Sequence, residues 1–394
     1  MRGEREGSED RPPRDPLTRV PREWPGAALA GLLCACLGAC GGGTKPVLAS
    51  KADRIEPHPP RAIGQGGWEE INQGQDAPPA GEDTAAVYDP ARHRLMIYGG
   101  KDDTETNRNE LWALDLSTRR WTQIHPPGPL PPPREDHSLV LDEHDDALVL
   151  FGGEDGSTTN STWTYDIAAN RWHEITHESA PTLEGHVAIY DPRRKRMLVF
   201  GGIHQDKVHK DEKILENETW ALDLARDSRG YGTWARLEVG KTRPSARREH
   251  RGAYDPVRGR MLVFGGRQRS KMSFLNDTWA LDLERATWYE LETTGERPDP
   301  IRQTALGYDP ETDLLTVFGG RVHVEQPDGD EDFIVNQVWV LDLASGHWSN
   351  RTPYPRPMYD HQGVFVPEYG GTLVYGGSTQ WPGKEHETWL LRVR

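Results

Sequence analysis

Four histidines, His137, His186, His250 and His361, each stand five residues ahead of a recurring position held by Asp142, Asp191, Asp255 and Val366. Arg134 and Arg247 precede two of them by three residues. A ring of imidazoles and guanidiniums could exchange protons with a substrate or hold an anion. Recurrence at one place in a repeat is also what a structural role produces, an imidazole bonding the backbone of the neighbouring unit, and that reading is preferred. The other candidates are poorer. "HQDKVH" (His204 to His209) could hold a metal only with a third ligand from elsewhere. "DGDED" (Asp328 to Asp332) lacks the glycine and the distal glutamate of a calcium loop and reads as a solvated acidic loop. The chain shows no nucleophile elbow. No catalytic residue, metal or cofactor is therefore assigned.

The histidines belong to a phrase the chain writes six times. "YDPRRKRMLVFGG" (190–202) and "YDPVRGRMLVFGG" (254–266) are the strongest copies, and weaker ones end at Gly100, Gly153, Gly320 and Gly377. In each, the turn position (Asp89, Asp142, Asp191, Asp255, Asp309 or Val366) lies ten residues before the first glycine. A phrase such as "ELWALDL" or "DTWALDL" follows, and then a second tryptophan, as in "WTQI" and "WARL". Each unit thus predicts four strands. The second, as in "MLVF", is an unbroken apolar run, which predicts burial on both faces. Asp-Pro before it predicts a tight turn, because proline presets φ and the carboxylate accepts from amides ahead of it. In "WALDL", Trp112, Leu114 and Leu116 share one face and Ala113 and Asp115 the other, which predicts a half-buried third strand. The glycine pair supplies backbone freedom where a side chain would clash.

Four short strands per unit, with stereotyped glycines and tryptophans, describe a propeller blade. On the double glycines at 99, 152, 201, 265, 319 and 376 and the tryptophans that follow them, residues 68–394 resemble the Kelch family. The resemblance implies an all-β, six-bladed β-propeller. The last unit ends its third strand at Val393, while "WEEI" (Trp68 to Ile71) reads as a fourth strand with no unit of its own. This N-terminal strand is expected to complete blade six and close the ring, removing an open sheet edge. Some Kelch propellers are enzymes. Galactose oxidase needs a cysteine cross-linked to a tyrosine, which this propeller cannot supply because every cysteine lies between residues 34 and 40. Nitrile-specifier proteins hold iron through Glu, Asp and His spaced four apart, a spacing absent here. Sialate mutarotases are six-bladed Kelch proteins acting through charged channel residues, and a carbohydrate-active enzyme of that kind is the alternative reading.

The net charge of -15 argues against nucleic acid as a partner. Residues 27–39 are apolar but too short to span a bilayer as a helix, and read as a signal h-region. "LGAC" (Leu37 to Cys40) resembles the bacterial lipobox, which implies removal of residues 1–39 and diacylglycerol on Cys40. The stretch before Ala27 is long and partly acidic for a signal; a start at Val20 would leave a conventional leader. Residues 40–67 are rich in Gly, Pro and charge, and predict a flexible tether. Gly41, where an aspartate would signal inner-membrane retention, implies outer-membrane placement in a bacterial envelope.

Four antiparallel strands put the first-to-second and third-to-fourth turns at one end of the ring and the longer, more varied loops at the other. Long, unlike loops on a rigid scaffold are where binding residues concentrate. Arg267 and Arg321 directly follow a glycine pair, and Trp381 lies in a loop of the same face. These three are the expected ligand-binding anchor. The expected function is recognition of a protein or glycan by an anchored monomer.

Overall fold

The computed structural model describes residues 67–72, 76–176, 178–205, 212–225, 232–268, 273–324, 331–351, 356–379 and 386–393. Blade one consists of Ala85–Asp89, Arg94–Tyr98, Leu111–Asp115 and Arg120–Ile124, hydrogen-bonded in that order. Blades two to five repeat it, beginning at Ser138–Asp142, Val187–Asp191, Arg251–Asp255 and Ala305–Asp309. Blade five extends its central hairpin, Leu314–Val324 against Glu331–Asp342, beyond the length of the others. Blade six takes Gln362–Val366, Gly371–Tyr375 and Thr388–Leu391 from one end of the ring and Trp68–Asn72 from the other. Trp68 pairs antiparallel opposite Leu391, so the expected closure is present. The first strands pack side by side around the axis, blade six against blade one included.

The turn chemistry is as the sequence predicts. Asp255 accepts from the Arg258 amide and from Arg260 Nε at 2.8 Å, and Asp191 does the same for Arg193 and Arg196. Both carboxylates are fully buried, and each ion pair fastens a hairpin at the base of its blade. Arginines of these turns also reach across: Arg92 pairs with Asp146 of blade two and Arg258 with Asp313 of blade five.

The prediction for the third strand needs correction. Ala113 and Leu111 pack with Leu139, Leu148 and Trp163 of blade two, whereas Leu114 packs with Val366 and Leu373 of blade six. Both faces are covered, and within the strand only Asp115 is exposed. Alternation along one strand reports which face is more apolar; it carries no information that a second blade covers the other face.

One contact explains why the phrases recur. The outer-strand tryptophan of each blade lies against the aromatic residue that precedes the glycine pair of the previous blade. The centroid distances are 5.3 Å for Trp172 on Tyr98, 4.4 Å for Trp234 on Phe151, 4.7 Å for Trp288 on Phe200 and 5.4 Å for Trp348 on Phe264. Trp68 on Phe318 at 4.7 Å and Trp121 on Tyr375 at 5.1 Å complete the circle. Offset and edge-to-face pairs of this kind contribute about 0.5 to 1.5 kcal/mol beyond area burial. The repeats are six copies of one joint.

Candidate functional site

The histidines singled out above prove to be parts of that joint. His137 Nε2 lies 3.1 Å from the Tyr98 carbonyl, His250 Nε2 3.2 Å from that of Phe200 and His361 Nε2 3.0 Å from that of Phe318, each in the preceding blade. His186 meets the Ser138 hydroxyl of blade two at 2.9 Å. They also account for the glycines: at Gly201 φ is +67°, and a Cβ there would stand 2.8 Å from the His250 ring. Arg134 and Arg247 are likewise buried, donating to the Gly152 and Gly265 carbonyls.

The residue before each of these positions was not singled out, and it builds the site. Asp83, Asp136, Gly185, Glu249, Gln303 and Asp360 all adopt left-handed φ, between 52° and 60°. Their backbones are linked in a collar: Gly185 N donates to Asp136 O, Glu249 N to Gly185 O, Gln303 N to Glu249 O and Asp360 N to Gln303 O, at 2.9 to 3.1 Å. The collar ends the interblade loops, so it rings the channel on the long-loop side. Below it the first strands enclose a cavity of about 140 Å³, lined by Asp83, Asp136, Ser138, His186 and Arg251 among others.

Four carboxyls thus face one another across a narrow mouth. Burial, then the negative charge of Glu249, pushes Asp136 up to about 6, against the opposing pull of Arg248. Burial and Glu249 push Asp360 up to about 8 although Arg251 opposes them. Asp83 is raised by burial and by Asp360 and Asp136. Glu249 is compensated, held by both Nε and Nη2 of Arg267 and by Arg302 at 2.7 Å. Outside the collar Lys101 pairs with Glu135, and Lys213 with Glu184, at 2.7 Å each. Burial and a hydrogen bond with Glu154 raise Glu184 to about 8 over the opposing Lys213.

Of the expected anchor, Arg267 lies at the mouth but is tied to Glu249. The Arg321 guanidinium stands 3.5 Å from the Tyr359 ring centroid, a cation-π contact, and its Nε has no hydrogen-bond partner. Trp381 and Cys40 lie outside the described residues, as do residues 206–211 of the histidine-rich loop and 325–330 of the acidic one. Asp332 is described, pairing with Arg302 and His323. No group of three His, Cys, Asp or Glu suited to a metal ion occurs among the described residues.

The two sets of buried groups titrate with opposite sign. Burial lowers His137, His186 and His361 to about 3, and His250 falls well below its ordinary 6.5. Through these imidazoles the native state binds fewer protons than the unfolded chain between pH 6.5 and 3, and their contribution to stability falls as pH drops through that window. The raised carboxyls act the other way, their stability being lost as pH rises through about 6 for Asp136 and about 8 for Asp360. Between about pH 4 and 6.5 the two contributions oppose each other, so thermal melts are expected to show their steep acid-side loss below about pH 4, where the carboxyls are protonated in both states and only the imidazoles still take up protons on unfolding. Asp360→Asn should raise the melting temperature near pH 9 and leave it unchanged near pH 4. An acid limb that stayed flat to about pH 3 would contradict the buried neutral imidazoles.

Geometry thus defines a closed six-bladed propeller with a charged channel mouth. Residues 62–184 and 143–377 match the KLHDC2/KLHL20/DRC7 Kelch-repeats domain, and the chain belongs to the Kelch-repeat family. It is 25% identical to Kelch domain-containing protein 3 of Homo sapiens over 272 residues, 64% of this chain and 65% of that relative's length. It is 25% identical to Kelch domain-containing protein 2 of Bos taurus over 339 residues, 79% of each chain. Similarity to Acyl-CoA-binding domain-containing protein 4 of Arabidopsis thaliana, 27% over 298 residues, covers 70% of this chain and 40% of that one. The solved structure of YjhT superposes with a TM-score of 0.64 at 14% identity, covering 82% of this chain and 97% of its own, and shares the fold. Kelch propellers generally mediate protein interactions.

Proposed function

We propose that this propeller is a non-catalytic recognition module of a bacterial envelope, anchored as a monomer by acylated Cys40, that binds a protein or surface glycan through its long-loop face. One observation carries the reading: polar groups at the channel mouth keep unfilled hydrogen-bonding capacity, while each of the four imidazoles gives its Nε2 to a joint. Arg321 Nε, Gln303 Oε1 and Asp360 Oδ1 have no partner. A buried polar group left unpaired costs about 1 to 3 kcal/mol, which a partner's complementary group recovers on binding. Crosslinked pull-down from intact cells, with a glycan array beside it, identifies the ligand. Arg321→Ala combined with Trp381→Ala should then weaken binding by about tenfold or more, about 1.4 kcal/mol, with melting unchanged; unaltered affinity would move the site to the short-turn face.

The membrane placement rests on "LGAC" and the Gly-rich segment after it. Outer-membrane residence follows from Gly41. Cys40→Ser should release the protein from membranes or leave its leader uncleaved. A variant that stayed membrane-bound with normal processing would overturn the anchor.

The raised carboxyls Asp136, Asp360 and Glu184 favour a second reading, since acids poised near neutrality suit the proton transfers of sugar mutarotation. Against it, about 140 Å³ of enclosed channel is below the roughly 300 Å³ at which pockets begin to bury small molecules. Accelerated anomer exchange of N-acetylneuraminate, followed by proton NMR and lost in Asp360→Asn, would establish this reading over the first.

A further inference from the structure

The mouth of the channel holds buried acceptors without partners. Asp360 is 3% exposed; one of its oxygens accepts from Gln303 Nε2 and the other has no partner. Gln303, 9% exposed, keeps its carboxamide oxygen unpartnered beside it. Asp83 and Asp136 occupy equivalent collar positions and line the cavity beneath. The one guanidinium within that cavity, Arg251, gives its Nε to the Thr304 carbonyl at 2.8 Å. Arg267 and Arg302 are engaged by Glu249. The collar therefore offers buried acceptors of two kinds, carboxylate and neutral amide, and one oxygen of each is left without a partner.

We propose that the collar is a socket for one cationic side chain, the ammonium of a lysine or the guanidinium of an arginine on a partner protein. This inference deepens the recognition reading and rests on it. The enclosed volume suits a single extended side chain: the alkyl stem passes the ring of backbone and the charged head meets Asp83, Asp136 and Asp360. The described residues present no metal-holding group, and the neutral amide of Gln303 suits an N–H donor. The net charge of -15 draws cations toward the mouth, an attraction that salt weakens.

Binding also has a proton signature. An incoming cation favours the ionised carboxyls, so Asp136 and Asp360, both raised in the free protein, release protons as it enters. Glu82, Glu135 and Glu249 face them from the neighbouring loops, with Arg248 and Arg251 opposing. Affinity must then increase as pH rises from 5.5 to 8.5, over which the ligand's own charge is constant.

The test uses the full chain in detergent, titrated calorimetrically with N-acetyl-lysine-methylamide and N-acetyl-arginine-methylamide, against N-acetyl-norleucine-methylamide as the uncharged control. The cationic probes should bind and norleucine should not. Affinity should fall about tenfold or more from pH 8.5 to 5.5, as shifts of this kind require, with proton release seen as a dependence of the heat on buffer. Asp136→Asn with Asp360→Asn should abolish binding, and Gln303→Met should weaken it while retaining the pH dependence. Melting curves report folding, which the loss of like charges should favour. Equal binding of norleucine, binding unchanged in the double variant, or displacement of the lysine probe by calcium would each overturn the socket. If the natural partner is still captured by the double variant but lost with Arg321→Ala, recognition stands and the socket falls; capture retained in both variants would overturn the socket and move the site to the short-turn face, and no capture even by the unaltered chain would tell against the recognition reading itself.

Discussion

Trp68→Ala is expected to cost about 3 to 5 kcal/mol, the range found when buried aromatics are truncated to alanine. Trp68 is 7% exposed and lies edge-on to Phe318, packed with Val338, Met358, Val374 and Trp389. Its strand is also the outer edge of blade six. Removing the ring both opens a cavity and loosens the one blade whose strands come from opposite ends of the propeller. Chemical denaturation measures the loss, and a truncation starting at Ala77 should be destabilised at least as much. If that truncation melts like one starting at Gly64, the strand does not hold the ring.

Arg247→Ala should cost about 2 to 4 kcal/mol, because it strips the half-buried Asp277 carboxylate of two charge-assisted bonds and leaves the Gly265 carbonyl without its donor. Arg247 is fully buried and grips Asp277 through two bonds of 2.7 and 2.8 Å while donating to the Gly265 carbonyl. The equivalent Arg134 bonds only carbonyls, those of Pro132 and Gly152, within 3.1 Å. Arg134→Ala should accordingly cost less, about 1 to 3 kcal/mol, the desolvation of unpaired carbonyls. Paired denaturation curves decide it. Equal losses would mean that the carbonyl bonds, and not the Asp277 pair, carry the contribution of Arg247.

The ring was legible because its joints use fixed residue types at fixed spacing. "FGG", the histidine and the outer tryptophan each recur as letters, so the Trp68 strand could be assigned to blade six from the sequence, whereas its contact with Phe318 is seen only in the fold. The collar left no such trace. Its six positions share a backbone conformation, yet Asp, Asp, Gly, Glu, Gln and Asp stand in them, and what unites them is φ near +55° and not a side chain. Arg267 illustrates the other limit. Its place after a glycine pair located it near the mouth, but Glu249, which binds it, lies eighteen residues earlier in a different loop. Ion-pair partners across loops follow from three-dimensional closure and have no periodic signature.

The closing strand also sets the order of events in folding. Arg392 and Glu69, ion-paired across that seam, are 323 residues apart in sequence. Blades one to five can form as their residues appear, since each hairpin is local. Trp68–Asn72 has no partner until Thr388–Leu391 is available, and such distant pairing is slow. A growing chain therefore carries an unpaired strand until residues 388–391 emerge. Completion of the ring, and with it of the channel mouth, is a single late step that waits for Thr388–Leu391.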